Sequence, residues 1–156
     1  MAKDLKVGDK APDFKMPTDS GKDVSLKALK GKIAVLYFYP KDLTPGCTTE
    51  AIDFSAKIKA FDKAGAVVIG VSKDPVARHQ KFREKHDLAV LLASDEDGDV
   101  TERYGVWVEK SMYGKKYMGI ERATFLIDGK GVIREIWRKV KGKGQAEEVL
   151  EAAKSL

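Results

Sequence analysis

Ile33-Ala34-Val35-Leu36-Tyr37-Phe38-Tyr39-Pro40-Lys41-Asp42-Leu43-Thr44-Pro45-Gly46-Cys47-Thr48-Thr49-Glu50 changes structural period partway along. Ile33 to Tyr39 is an unbroken run of apolar and aromatic residues, which predicts a strand buried on both faces, and Pro40 ends it. From Cys47 to Ala64, Ala51, Phe54, Ile58 and Phe61 recur at three- and four-residue spacing, the stripe of an amphipathic helix. A buried strand that feeds a helix through a short loop is the opening of an α/β unit.

The same alternation continues outward. Val67 to Val71 predicts a second buried strand, and Asp74-Pro75 supplies an N-cap and first helical position for a helix to about His86. A short strand is expected around Val90 to Leu92 and a short helix from about Val100 to Tyr104. Ala123 to Ile127 and Val132 to Trp137 flank Asp128-Gly129-Lys130-Gly131, a hairpin signal. Ala146, Val149, Leu150, Ala153 and Leu156 then share one helical face. Phe14 to Met16 and Val24 to Leu26, around Ser20-Gly21, predict an N-terminal β-hairpin. The expected fold is α/β and thioredoxin-like, a central mixed sheet flanked by helices. A flavodoxin-like sheet is the alternative, and the hairpin is the main argument against it.

The 156 residues suit one domain, 1–156, with a core of its own, and no repeat or linker divides them. With 43% hydrophobic and 34% charged residues, the chain has neither the composition of disorder nor that of a membrane protein. Its net charge of +5 is mild and interspersed, which argues against a dedicated nucleic-acid binder. Met1-Ala2-Lys3-Asp4-Leu5-Lys6 places charges where a signal peptide would be apolar, so a cytoplasmic location is expected. The lone cysteine, Cys47, excludes a disulfide within the chain and a cysteine-based metal cluster.

Pro45 at the first helical position makes Thr44 the N-cap and puts Cys47 in the first turn, where free N–H groups and the helix dipole favour an anion. A thiolate there can attack an O–O bond if donors meet the charge growing on the departing oxygen. Its product is a sulfenic acid. Thr44 is pulled two ways, because a hydroxyl that caps the helix is not free to donate to a peroxide.

Here the sequence resembles the bacterioferritin-comigratory, or Q-type, peroxiredoxins over nearly its whole length. The P-x-x-x-T-x-x-C pattern is met by Pro40, Thr44 and Cys47. Similar stretches are Ala11-Pro12-Asp13-Phe14, Leu36 to Asp42, Tyr104-Gly105-Val106-Trp107 and Gly119 to Asp128. The resemblance implies that Cys47 is the peroxidatic nucleophile of a thiol-dependent peroxidase acting on hydrogen peroxide and organic hydroperoxides. It further implies that Thr44 and Arg122 contact the peroxide oxygens and the thiolate, that Pro40 shields the pocket from water, and that Glu50 orients an arginine. No cofactor and no metal is implied, and the family is often monomeric. Many relatives carry a resolving cysteine five residues after the peroxidatic one; here that position is Ile52, and Pro75 to His86 holds none either. The expected reductant is therefore an external thiol, thioredoxin or glutathione with glutaredoxin.

Other chemistries find less support. A Cys-x-x-Cys oxidoreductase would need cysteine where Glu50 stands, and His79 and His86 read as surface residues rather than partners of a Cys-His hydrolase. Asp95-Glu96-Asp97-Gly98-Asp99 fails the calcium-loop spacing and reads as a capping, solvated turn. Arg134, Arg138, Lys139, Lys141 and Lys143 read as a solvated strand end. The alternative of another class is a redox-sensing or binding module that uses Cys47 stoichiometrically.

Overall fold

A computed structural model describes residues 5–140 and 144–156. Met1 to Asp4, at the start of the N-terminal reading, and Lys141 and Lys143 of the basic stretch lie outside the described residues. Among the described residues nine strands and five α-helices follow in the order β1 (Lys15–Pro17), β2 (Asp23–Ser25), β3 (Ile33–Phe38), α1 (Pro45–Ala56), α2 (Ile58–Lys63), β4 (Ala66–Ser72), α3 (Val76–His86), β5 (Leu91–Ser94), α4 (Val100–Arg103), β6 (Trp107–Met112), β7 (Lys115–Ile120), β8 (Ala123–Ile127), β9 (Ile133–Arg138) and α5 (Gln145–Lys154).

The central sheet is five-stranded in the order β5-β4-β3-β8-β9. Strand β3 pairs parallel with β4 and antiparallel with β8, so the sheet is mixed. That antiparallel strand beside the central one settles against a flavodoxin-like sheet. Alternation along β3 divides the core in two. Ala34, Leu36 and Phe38 join one apolar cluster with Met16, Val100, Tyr104 and Phe125, while Val35, Tyr37 and Tyr39 join another with Cys47, Phe54, Phe61, Phe82 and Val149. Helices α1, α2, α3 and α5 supply the second cluster, which explains why β3 has no polar face.

The predicted helix from Cys47 to Ala64 is two helices broken at Lys57 (φ −107°, ψ 10°), whose N–H turns back to the Phe54 and Ser55 carbonyls. Phe54 and Phe61 still pack against each other at 5.9 Å, so the apolar spacing survives a break that neither Gly nor Pro announces. At the start of α3 the cap differs from expectation: Pro75 is the N-cap, and Asp74 turns inward to accept from Ser72 Oγ at 2.7 Å. The β6–β7 hairpin was not anticipated. Its turn at Tyr113-Gly114 has φ +53° and +78°, the double left-handed geometry of a type I′ turn. Met112, Tyr113, Tyr117 and Met118 stand exposed on it, so no buried face imposes an alternating pattern.

Candidate functional site

Cys47 sits where sequence placed it, in the first turn of α1 behind Pro45, and is 1% exposed. It faces Arg122, the residue that immediately precedes β8. Because β8 lies antiparallel beside β3, with Phe38 opposite Ala123, the residue before β8 emerges where β3 delivers the chain to the loop before α1. The Arg122 Nη2 donates to Cys47 Sγ at 3.2 Å, and Nη1 donates to Glu50 Oε1 at 2.8 Å. One guanidinium thus spans a thiol and a carboxylate one helical turn apart on α1.

Both carboxylate and guanidinium are withdrawn from water, with side-chain exposures of 1% for Glu50 and 16% for Arg122. Burial outweighs the attraction of Arg122, and the Glu50 carboxyl is pushed up from 4.5 to about 7. For Arg122 the balance is reversed. Burial opposes its charge, but Cys47 and Glu50 together raise it above its ordinary value, so the cation persists beside the sulfur.

Thr44 occupies the N-cap position of α1 but makes no side-chain cap; its hydroxyl donates to the Lys41 carbonyl at 2.8 Å. The hydroxyl therefore neither accepts a capping bond nor keeps its proton free for a peroxide. With its proton committed to Lys41, Oγ1 presents lone pairs, which can accept from a hydroperoxide O–H. Pro40 is solvent-exposed just past the end of β3.

Three neighbours escaped sequence reasoning. Gly46 leaves room for the guanidinium, since a Cβ there would stand 3.3 Å from Arg122 Nη2. Lys110 on β6 is half-buried; burial and Arg122 push its ammonium down, while Cys47 and Glu121 pull it up. Its position in an unanticipated hairpin hid it. His79 is not the surface residue expected but is fully buried, with Nδ1 2.6 Å from Asp42 Oδ2 and Nε2 2.9 Å from the Ala93 carbonyl. A signal existed, because His79 shares the face of α3 that buries Phe82 three residues on.

The remaining candidates carry no chemistry here. His86 packs edge-on against Phe82 at 5.8 Å. Asp95 does cap α4, accepting from Val100 and Thr101 N–H at 3.1 and 2.9 Å, but it is buried rather than solvated. Among the described residues no group of three or more His, Cys, Asp or Glu is placed to hold a metal ion. Arg134 and Arg138 pair with Asp128 and Glu121, at 3.3 and 3.4 Å. No helix among the described residues is long and apolar enough to cross a membrane.

The arrangement is a buried thiol held by one cation in the first turn of a helix. The chain resembles known proteins in sequence and fold. The AhpC/TSA family description matches residues 7–136. Peroxiredoxin Bcp of Bacillus subtilis is 49% identical over 152 residues, covering 97% of each chain. Peroxiredoxin Bcp of Escherichia coli is 42% identical over 146 residues, 94% of each. A structure of the Xanthomonas campestris bacterioferritin comigratory protein, solved to understand that protein's alkyl peroxide reduction, superposes with TM-score 0.86 at 46% identity over 91% of this chain and 90% of its own. A Xylella fastidiosa PrxQ mutant superposes with TM-score 0.92 at 37% identity over 99% and 98%.

Proposed function

This chain belongs to the AhpC/TSA family and, within it, to the Q-type peroxiredoxins, thiol-dependent peroxidases, and from that premise we propose how its own residues carry the reaction. The observation that carries the proposal is the 3.2 Å contact from Arg122 to Cys47 Sγ in the first turn of α1.

Cys47 as thiolate attacks the terminal oxygen of a hydroperoxide, hydrogen peroxide or an alkyl hydroperoxide. The S–O bond forms as the O–O bond breaks, sulfur is oxidised to sulfenic acid, and the departing oxygen leaves as alkoxide or hydroxide and takes a proton to become alcohol or water. Arg122 meets the negative charge as it passes from sulfur to oxygen, and the first-turn N–H groups of α1 reinforce it. Thr44 Oγ1 orients the peroxide by accepting from its O–H. Glu50 holds the guanidinium in plane with both partners, and Pro40 covers the mouth against water. Neither cofactor nor metal takes part.

Cys47 is the chain's sole cysteine and Ile52 stands at the five-residue position, so the sulfenic acid is reduced by an external thiol, thioredoxin or glutathione with glutaredoxin. Because Cys47 is 1% exposed, the first turn around Gly46 and Cys47 opens to admit that thiol. The protein works as a monomer and one domain, 1–156, in the reducing cytoplasm.

The deciding measurement is the second-order rate of Cys47 thiol loss with hydrogen peroxide, against a free thiol corrected for its thiolate fraction. An excess of several orders of magnitude is expected, each decade corresponding to about 1.4 kcal/mol of transition-state stabilisation. A rate equal to that of free thiolate would sink the assignment.

A further inference from the structure

We infer that His79 is a positioning residue for oxidation of Cys47, acting through Asp42 to fix the loop from which Thr44 and the first turn of α1 are hung. The inference rests on the peroxidase reading above and extends it to a buried group with no part in that mechanism.

Four contacts converge on Asp42, which is fully buried in the middle of the Pro40–Thr44 loop. Its Oδ1 accepts from the Tyr39 hydroxyl at 2.5 Å and its Oδ2 faces His79 Nδ1 at 2.6 Å. Its backbone N–H donates to Asp74 Oδ2 at 2.8 Å, and Asp74 is itself held by Ser72 Oγ at 2.7 Å. Arg78 Nη2 points to its carbonyl at 3.4 Å. The loop residue is thereby tied to Tyr39 just past β3, through Asp74 to Ser72 at the end of β4, and to helix α3.

The tautomer of His79 follows from its partners. A carbonyl can only accept, so Nε2 carries a proton toward Ala93, 2.9 Å away. Nδ1 faces a carboxylate oxygen, where a second proton is shared or held. Burial opposes the imidazolium, but the Asp42 hydrogen bond and charge, helped by Ala93 and Asp74, raise His79 above 6.5. The pair is thus a buried hydrogen-bonded link between β5 and the loop.

What the link holds is a conformation that does not hold itself. Leu43, next to Asp42, has φ +65°, a left-handed conformation costly to a branched side chain and kept only where its surroundings over-determine it. On the other side of Asp42, the Lys41 carbonyl takes the Thr44 hydroxyl at 2.8 Å. Rotating the Lys41–Leu43 peptides would reorient the Thr44 hydroxyl, which is held to the Lys41 carbonyl, while leaving the Cys47–Arg122–Glu50 contacts in place. Misplacement of a substrate-orienting group by about 1 Å costs up to about 10²-fold in rate.

Two amide substitutions separate positioning from bulk stability. His79→Asn puts an N–H where Nδ1 stands and keeps the reach to Asp42; His79→Gln puts one where Nε2 stands and keeps only Ala93. Both bury one amide in the same cavity. Oxidation of Cys47 by hydrogen peroxide should be slowed about 10- to 100-fold in His79→Gln and by no more than about 3-fold in His79→Asn. Reduction of the sulfenic acid by external thiol should be unslowed in both. Equal oxidation rates in the two variants, or a His79→Gln enzyme as fast as wild type, would overturn the inference. Should neither variant fold, Tyr39→Phe removes one donor to Asp42 with no loss of volume and should slow oxidation about 3- to 10-fold; an unchanged rate there overturns the inference equally. A wild-type rate no better than free thiolate is a different failure, that of the peroxidase reading itself.

Discussion

The two halves of the loop between β3 and α1 are built on opposite principles. Asp42 is fully buried and bonded to Tyr39, Asp74, Arg78 and His79, whereas Thr44 is half-exposed, with its hydroxyl turned back to Lys41, and leads into Pro45 and Gly46, the exposed first residues of α1. A peroxidase whose thiol is buried and whose reductant comes from outside needs both. On the mechanism proposed above, the anchored half sets the geometry for attack on peroxide, and the loosely held half lets the first turn of α1 open afterwards. Segments that must move are drawn from the least-fastened parts of a structure.

The sharpest way to break this contrast is to remove the group that reacts across it. Arg122→Met should lower the rate of Cys47 oxidation by about 10²- to 10³-fold, the cost of losing one transition-state donor in a water-poor site. The fold should survive, because the Glu50 carboxyl, already raised to about 7 beside Arg122, is pushed higher still once the cation is gone and takes a proton rather than remain a buried unpaired charge. Thr44→Val, in the open half, should slow oxidation about tenfold, about one hydrogen bond's worth, with an unfolding midpoint close to wild type. Stopped-flow oxidation beside urea unfolding reads both quantities. A Thr44 variant that lost stability in proportion to rate would mean that the two halves are not separate.

Sequence reading reached the open half and missed the anchor. The β3 run and the Thr44-Pro45-Gly46-Cys47 turn are local patterns; with the Asp128-Gly129 hairpin they gave a thioredoxin-like mixed sheet, and Phe14 to Met16 and Val24 to Leu26 around Ser20-Gly21 gave its N-terminal hairpin. Arg122 and Glu50 came from family resemblance, and the structure brings both to Cys47. The anchor is assembled from Tyr39, Asp42, Ser72, Asp74, His79 and Ala93, and only the parallel pairing of β3, β4 and β5 makes these neighbours. A charged helix face at His79 looks solvated until the sheet that covers it is known. The β6–β7 hairpin was illegible for the converse reason, since exposed strands carry no burial pattern to read.

A weaker effect sharpens the comparison through pH. The Glu50 carboxyl rises from 4.5 unfolded to about 7 folded, so between those values the folded state holds more proton than the unfolded one. Its contribution to stability is complete below 4.5 and is lost as pH rises through about 7. Glu50→Gln cannot ionise and should lose none of it. The stability of Glu50→Gln relative to wild type should therefore increase from acid to mildly alkaline pH, measured as the difference in urea midpoint. His79 titrates in both proteins and cancels. A difference constant with pH would show that Glu50 is ionised throughout, and that the ion pair with Arg122 outweighs burial.

The smallest effect separates rate from stability at a single methyl group. Gly46 lies within α1, where alanine is favoured over glycine by up to about 1 kcal/mol, so Gly46→Ala should raise the stability of the first turn. The added Cβ would meet Arg122 Nη2 at 3.3 Å, closer than ordinary contact, so the guanidinium must give by a few tenths of an ångström away from the sulfur. Oxidation by peroxide should slow about 2- to 5-fold, and reduction by external thiol should slow as well, because a stiffer turn opens less often. Slower oxidation with unchanged reduction would place the opening motion elsewhere than the first turn. Slower reduction alone would mean that Arg122 has slack to spare, and that glycine is there for motion rather than for room.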